Sequence, residues 1–144
     1  MSLRMFLVFC LLVFLNELSL ANNIQVKINV NQVRSEKGNI VVLLYSKEAG
    51  FPNKVASADS KKIVPAIVGS QIILIDVPGS GDYAISIFHD ENSNLEIDTN
   101  WIGIPKEGVG VSNNAKGRMG PPKFKDAVAQ INAESTIDIT LKYL

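Results

Sequence analysis

Ile24, Val26, Ile28 and Val30 alternate with Gln25, Lys27 and Asn29. A period of two gives an extended chain one buried and one wet face, and a helix cannot use it. The rhythm recurs along the chain. Asn39–Ser46 (NIVVLLYS) is apolar on both faces, as a central strand must be, after a turn at Glu36–Asn39. Lys61–Val68 is a weaker strand, and Pro65 sends it to a sheet edge. Gly69-Ser70 leads into Gln71–Val77, Pro78–Gly81 turns the chain, and Asp82–His89 (DYAISIFH) follows. Thr136–Tyr143 closes the series. Six or seven short strands, Gly and Pro at the turns, and no sustained helical period predict an all-β, Ig-like antiparallel β-sandwich of about seven strands.

One stretch breaks the rhythm. Thr99 to Ala133 holds five glycines, three prolines and little alternation. So long a connection within one domain is usually functional or disordered. Trp101, Met119 and Phe124 predict that it is pinned onto the sandwich as a long ordered loop.

The N-terminus reads as an address. Arg4 precedes the unbroken apolar run Met5–Leu15, and Ser19-Leu20-Ala21 offers the small residues of a cleavage site. The run is shorter than the ~20 residues of a spanning helix. Residues 1–21 are therefore expected to be a signal peptide and 22–144 a single secreted domain, bound for periplasm, outer membrane or medium. Membrane attachment would come only through an uncleaved signal. Cys10, the one cysteine, lies inside that run, so the exported domain has no thiol for a disulfide, a zinc site or a nucleophile. Formal net charge is zero, which gives no global electrostatic reason to bind nucleic acid.

The most chemically loaded stretch is FHDENSNLEIDTNW, residues 88–101. Asp90, Asn92, Asn94, Glu96 and Asp98 carry oxygen at alternate positions, as in a loop wrapped around Ca²⁺, and Ile97 stands where such a loop anchors to the core. The closing bidentate Glu is replaced by Trp101 and the turn Gly by Leu95. A left-handed Leu costs ~1–2 kcal/mol, so the turn is expected at Asn94 instead. Any calcium shell would be completed by water or by Glu107 or Asp126, with affinity of order 10⁻⁴ to 10⁻³ M. The alternative is a polar turn in which Asp and Asn cap their own backbone.

His89, the one histidine, is adjacent to Asp90, but neighbours on a strand point to opposite faces. The sequence contains no nucleophile elbow, phosphate loop or His-rich metal motif. The long loop is locally basic, with Lys106, Lys116, Arg118, Lys123 and Lys125. Trp101, Lys106, Asn113, Asn114 and Arg118 form a candidate ligand surface, with an aromatic platform beside polar donors. The opposing reading makes Trp101 and Phe124 core plugs.

Pro78-Gly79, Asp82–Ile85 running into Phe88–Asn92, Asp98–Asn100, Gly103–Gly108, Ser112–Ala115, Gly120–Pro122, Phe124 and Asp126-Ala127 stand in an order that resembles the bacterial secreted family called domain of unknown function 2141. The resemblance spans roughly residues 24–144. It implies a prealbumin-like or carboxypeptidase-regulatory-like sandwich and carries over no catalytic residue. The family commonly has glycine where this chain has Ser93 and Leu95. The similar transthyretin-like hydrolases carry several histidines and a Tyr-Arg-Gly-Ser terminus, which this chain lacks. Three readings follow: a non-catalytic, calcium-stabilised module binding a glycan or another envelope protein; a small hydrolase using His89 with Asp90 or Asp98; or a structural envelope component.

Overall fold

The computed structural model describes residues 22–144, so the expected signal peptide and Cys10 lie outside the described residues. Among the described residues eight strands form two sheets. In chain order they are β1 Ile24–Val33, β2 Asn39–Tyr45, β3 Ser60–Pro65, β4 Gly69–Val77, β5 Gly81–Asp90, β6 Val109–Val111, β7 Ala129–Ile131 and β8 Thr136–Thr140. A three-stranded sheet has the order β4-β1-β8; the larger one runs β3-β2-β5-β6, with β7 also pairing β5. No described helix is long and apolar enough to cross a membrane.

The alternation in β1 directs Val26, Ile28 and Val30 inward, where they meet Ile73, Ile75 and Val77 of β4 and Ile139 of β8. Ile40, Val42 and Leu44 of β2 and Ile85 and Ile87 of β5 come from the facing sheet. Each such side chain contributes about 1.5–3 kcal/mol on leaving water, which lets a domain without disulfides hold together. The two-faced apolarity of β2 has its own cause. Val41, Leu43 and Tyr45 point to the other side of the sheet and, with Phe88, form a second core roofed by Phe51, Val55, Ile97 and Phe124. Pro65 ends β3, which does lie at the sheet edge.

Two features depart from the sequence reading. First, β8 runs parallel to β1, from Lys27↔Thr136 to Asn31↔Thr140, while every other strand pair is antiparallel. The chain leaves β7 on the large sheet and crosses to the small one, and side-chain alternation is the same in either direction. Second, the long stretch is not one loop. It contains β6, β7 and a single helical turn, α1, at Phe124–Ala127. Three-residue strands are too short to show a period.

Candidate functional site

β5 delivers Asp90 and His89 to opposite faces, as the pleat requires. Asp90 is fully buried, and its two carboxylate oxygens accept the backbone N–H groups of Asn94 (3.1 Å) and Leu95 (2.9 Å). These bonds curl the loop so that Ser93 (φ 58°) and Leu95 (φ 60°) take the left-handed conformation. The turn therefore falls on Leu95 and Ser93 rather than Asn94: the two hydrogen bonds to a buried carboxylate outweigh the steric cost at Leu95.

The loop's other polar groups converge on Asp98. Its carboxylate accepts the Asn94 amide at 3.0 Å and that of Asn92 on its other oxygen. The Asn92 and Asn94 side-chain oxygens accept backbone N–H groups two residues on, from Asn94 and Glu96. Glu96 itself is exposed. Glu107 arrives from beyond the loop and closes it: its oxygens accept the N–H of Glu91 (2.9 Å) and of Asp98 (3.1 Å). Burial is the first cause that raises the Glu107 pKa; the two N–H groups oppose it, and the Asp98 and Asp90 carboxylates add to it. Asp126, the other carboxylate considered for this loop, sits on α1. Among the described residues no three His, Cys, Asp or Glu side chains are grouped to hold a metal ion. A calcium ion here would have to take Asn and backbone oxygens beside Asp98.

Behind the loop lies a fixed polar chain. His89 Nε2 meets the Lys37 carbonyl at 2.7 Å, and a carbonyl can only accept, so this nitrogen carries the proton. Nδ1 then accepts from the Tyr143 hydroxyl (2.8 Å), whose oxygen accepts the Arg34 N–H (3.1 Å). The Arg34 guanidinium lies 4.4 Å from the Tyr143 ring centroid and pairs with Glu91 at 2.6 Å. That guanidinium, helped by Ser35, holds the Glu91 carboxyl down at about 2 against the effect of burial. Gly108 is required here, since a Cβ would stand 2.5 Å from the Tyr143 ring. His89 is wholly buried with both nitrogens occupied, and Asp90 and Asp98 are engaged elsewhere. The candidate His–Asp pairs are not brought together.

On the loop's far side the structure opens. A groove of about 470 Å³ runs between two walls. One is Thr99 with Gly103–Pro105; the other is Lys116-Gly117 with Gly120–Pro122. Ile97 and Val109–Val111 lie between them, and Thr140, Lys142 and Leu144 line one end. The lining is mostly apolar, carries Lys116 and Lys142, and includes no Asp or Glu side chain. Asn100 shapes the first wall by accepting the N–H groups of Ile102 (3.0 Å) and Ile104 (2.9 Å) on its side-chain oxygen. Trp101 at the tip of that turn is 95 % exposed, with Ile102 and Ile104 also exposed. Met119 is fully exposed on the opposite wall. Gly117 makes that wall's turn possible, because a Cβ would lie 1.7 Å from the Gly120 carbonyl oxygen.

The expectation that Trp101, Met119 and Phe124 all pin the long stretch is thus corrected. Phe124 alone does so, edge to face with Phe51 at 5.7 Å. Asn113 and Asn114 also serve the fold, Asn114 while lining the groove. Asn113 donates to the Val128 and Asp126 carbonyls, and Asn114 accepts the Thr140 N–H and donates to the Asp138 carbonyl. Lys106 and Arg118 are exposed and do not line the groove. Sequence reading passed over Ser112, whose buried hydroxyl accepts the Ile85 N–H (2.9 Å) and donates to the Ala127 carbonyl, tying α1 to β5.

A family profile described as an uncharacterized protein conserved in bacteria matches residues 28–139, across both sheets, the carboxylate loop and the groove. The chain belongs to the domain of unknown function 2141 family. No curated protein and no solved structure matched it. In this family member, the glycine-like backbone at Ser93 and Leu95 falls where the resemblance expects glycine. The loop's polar groups are spent on closure, and its anchor Ile97 packs on the second core while lining the groove. Carboxylate loop and groove are therefore contiguous: Ile97 and Thr99, on either side of Asp98, both line the groove.

Proposed function

We propose that this protein is an exported, non-catalytic binding module whose groove takes an apolar, acid-flanked peptide segment of another envelope protein. The observation that carries this reading is the apolar groove with two lysines, no carboxylate side chain, and Trp101, Ile102 and Met119 left in water around it. Exposed aromatic and apolar side chains grouped beside a concave apolar surface are typical of sites that bury them on binding. A glycan would need several planar polar donors beside the aromatic ring. Asn113 is spent within the fold, and the groove-lining Asn114 amide already holds the Thr140 N–H and the Asp138 carbonyl, which leaves a mostly apolar lining poor in such donors. Lys116 on the second wall and Lys142 at one end favour negative charge beside the apolar part of the bound segment. The burial of His89 weighs against the hydrolase reading. Calcium enters as a weak stabiliser of the 90–98 loop, held by Asp98 with Asn and backbone oxygens, since the Asp90 and Glu107 oxygens already accept backbone N–H groups.

Trp101 is the only tryptophan and stands at the tip of the turn that forms the first groove wall, so its emission reports whether a bound segment covers that tip. Apolar peptides selected from a displayed library, resynthesised with acidic flanks, should shift that emission to the blue and saturate. Lysine-flanked counterparts should bind less well. Trp101→Ala should weaken binding, followed by calorimetry, by about tenfold or more without lowering Tm. Lys116→Glu with Lys142→Glu should reverse the preference for acidic flanks. Selection of no peptide, or saturable binding on a polysaccharide array that requires Trp101, would replace this reading with another.

A further inference from the structure

A second surface lies on the other sheet. β4 hydrogen-bonds β1 along one edge, and no described strand lies along the other. Sheet edges are normally protected by lysine, proline, a bulge or shortness. β4 is nine residues long, Gly69–Val77, with no lysine or proline and one charge, Asp76, near its end. A connection touches only its start, where the Gln71 side chain holds the Ile67 N–H (2.9 Å) and the Pro65 carbonyl (3.2 Å). The register shift in this strand pair falls at Val30–Val33 of β1, opposite the very start of β4. The wet face of β4 is apolar as well. Ile72 is 65 % exposed and Leu74 46 %, with Ile67 and Val68 exposed in the turn just before. An open backbone edge and an apolar stripe therefore coincide on one strand.

We propose that β4 is a homodimer edge, pairing antiparallel with β4 of a second copy about a two-fold axis through Ile73. The strand is complementary to itself in that register. Ile72 falls opposite the partner's Leu74 and Leu74 opposite the partner's Ile72, so four apolar side chains make one patch on the outer face. Asp76, which accepts the Gln25 amide (3.3 Å), falls opposite the partner's Ser70, so the single charge never faces its own copy. A lone edge charge would otherwise repel its own copy at the centre of a symmetric pair. The product is a continuous six-stranded sheet, β8-β1-β4 joined to its two-fold copy, and both exposed edges are removed. The groove lies beyond β6 at the far end of the larger sheet, so this contact stands independently of the proposed function.

Sedimentation velocity and light scattering on the purified protein, from low to several hundred micromolar, should show a dimer. Ile72→Glu with Leu74→Glu opposes glutamates across the axis and should raise the dissociation constant by about a hundredfold or more. Its fold should survive, since both side chains are exposed and Leu74 faces Lys27 across β1. Mixing it with the Ile72→Lys, Leu74→Lys variant should restore a dimer made of one chain of each. Amide exchange in β4 should slow as the parent protein is concentrated. A monomer throughout the range overturns the proposal, and so does a dimer that the glutamate pair leaves intact.

Discussion

At the scale of single residues, Leu95 shows how a local rule is overruled by a bond it does not contain. The steric penalty of a left-handed leucine is real, and it places the turn at Asn94 in a sequence reading. Asp90 reverses that outcome by holding the N–H groups of Asn94 and Leu95 from inside the protein. The strain remains and can be measured. Leu95→Gly should relieve it; after the greater freedom of an unfolded glycine chain is counted, stability should rise by about 1 kcal/mol. Leu95→Ala removes the same half-exposed side chain yet keeps the penalty, so it should be less stable than the glycine variant in urea unfolding. Equal midpoints for the two would show that Leu95 bears no strain. His89 teaches the reverse lesson. Adjacency to Asp90 suggests a catalytic pair, and the pleat that separates them is the part of the sequence reading that holds.

At the scale of elements, legibility follows length and partner distance. β1, β2, β4, β5 and β8 each run five residues or more and announce themselves by period or by apolar density. β6 and β7 span three residues each and exist because β5 is long enough to pair with both, Gly81–Tyr83 with β7 and Ser86–Phe88 with β6. The carboxylate loop is legible in its oxygen spacing but not in its closure, which depends on Glu107, sixteen residues beyond Glu91. That closure brings the Glu107 carboxylate close enough to feel the charges of Asp98 and Asp90, with Arg34 committed to Glu91. A divalent cation would offset the repulsion. Millimolar calcium added to chelator-treated protein should raise Tm by a few degrees, in line with an affinity near 10⁻⁴ to 10⁻³ M. Asp98→Asn should remove that gain, whereas magnesium, which tolerates fewer protein ligands, should give less. An unchanged Tm in the parent protein would assign the loop to its hydrogen bonds alone.

At the scale of the molecule, the two larger of three buried clusters divide the labour. The inter-sheet core follows from alternating residues, and the sandwich is legible for that reason; the parallel placement of β8 is not, because it depends on where the chain crosses over. The second core lies between the large sheet and the connections around it, and it determines which loop aromatics are structural. Composition cannot make that distinction: Trp101 and Phe124 both look like plugs, yet one is in water and the other meets Phe51. The two residues should therefore separate stability from binding. Phe124→Ala opens a cavity beside Phe51 and loosens α1, which Ser112 ties to β5, and should cost about 2–4 kcal/mol for a large, partly buried side chain. It should also weaken peptide binding, since Pro121 and Pro122 of the second groove wall lead directly into α1. Trp101→Ala should weaken binding at unchanged stability. Measured side by side by denaturant unfolding and by calorimetric titration, the pair tests whether the second core holds the groove open. A Phe124→Ala protein that binds peptide as tightly as the parent would show that the walls stand without it.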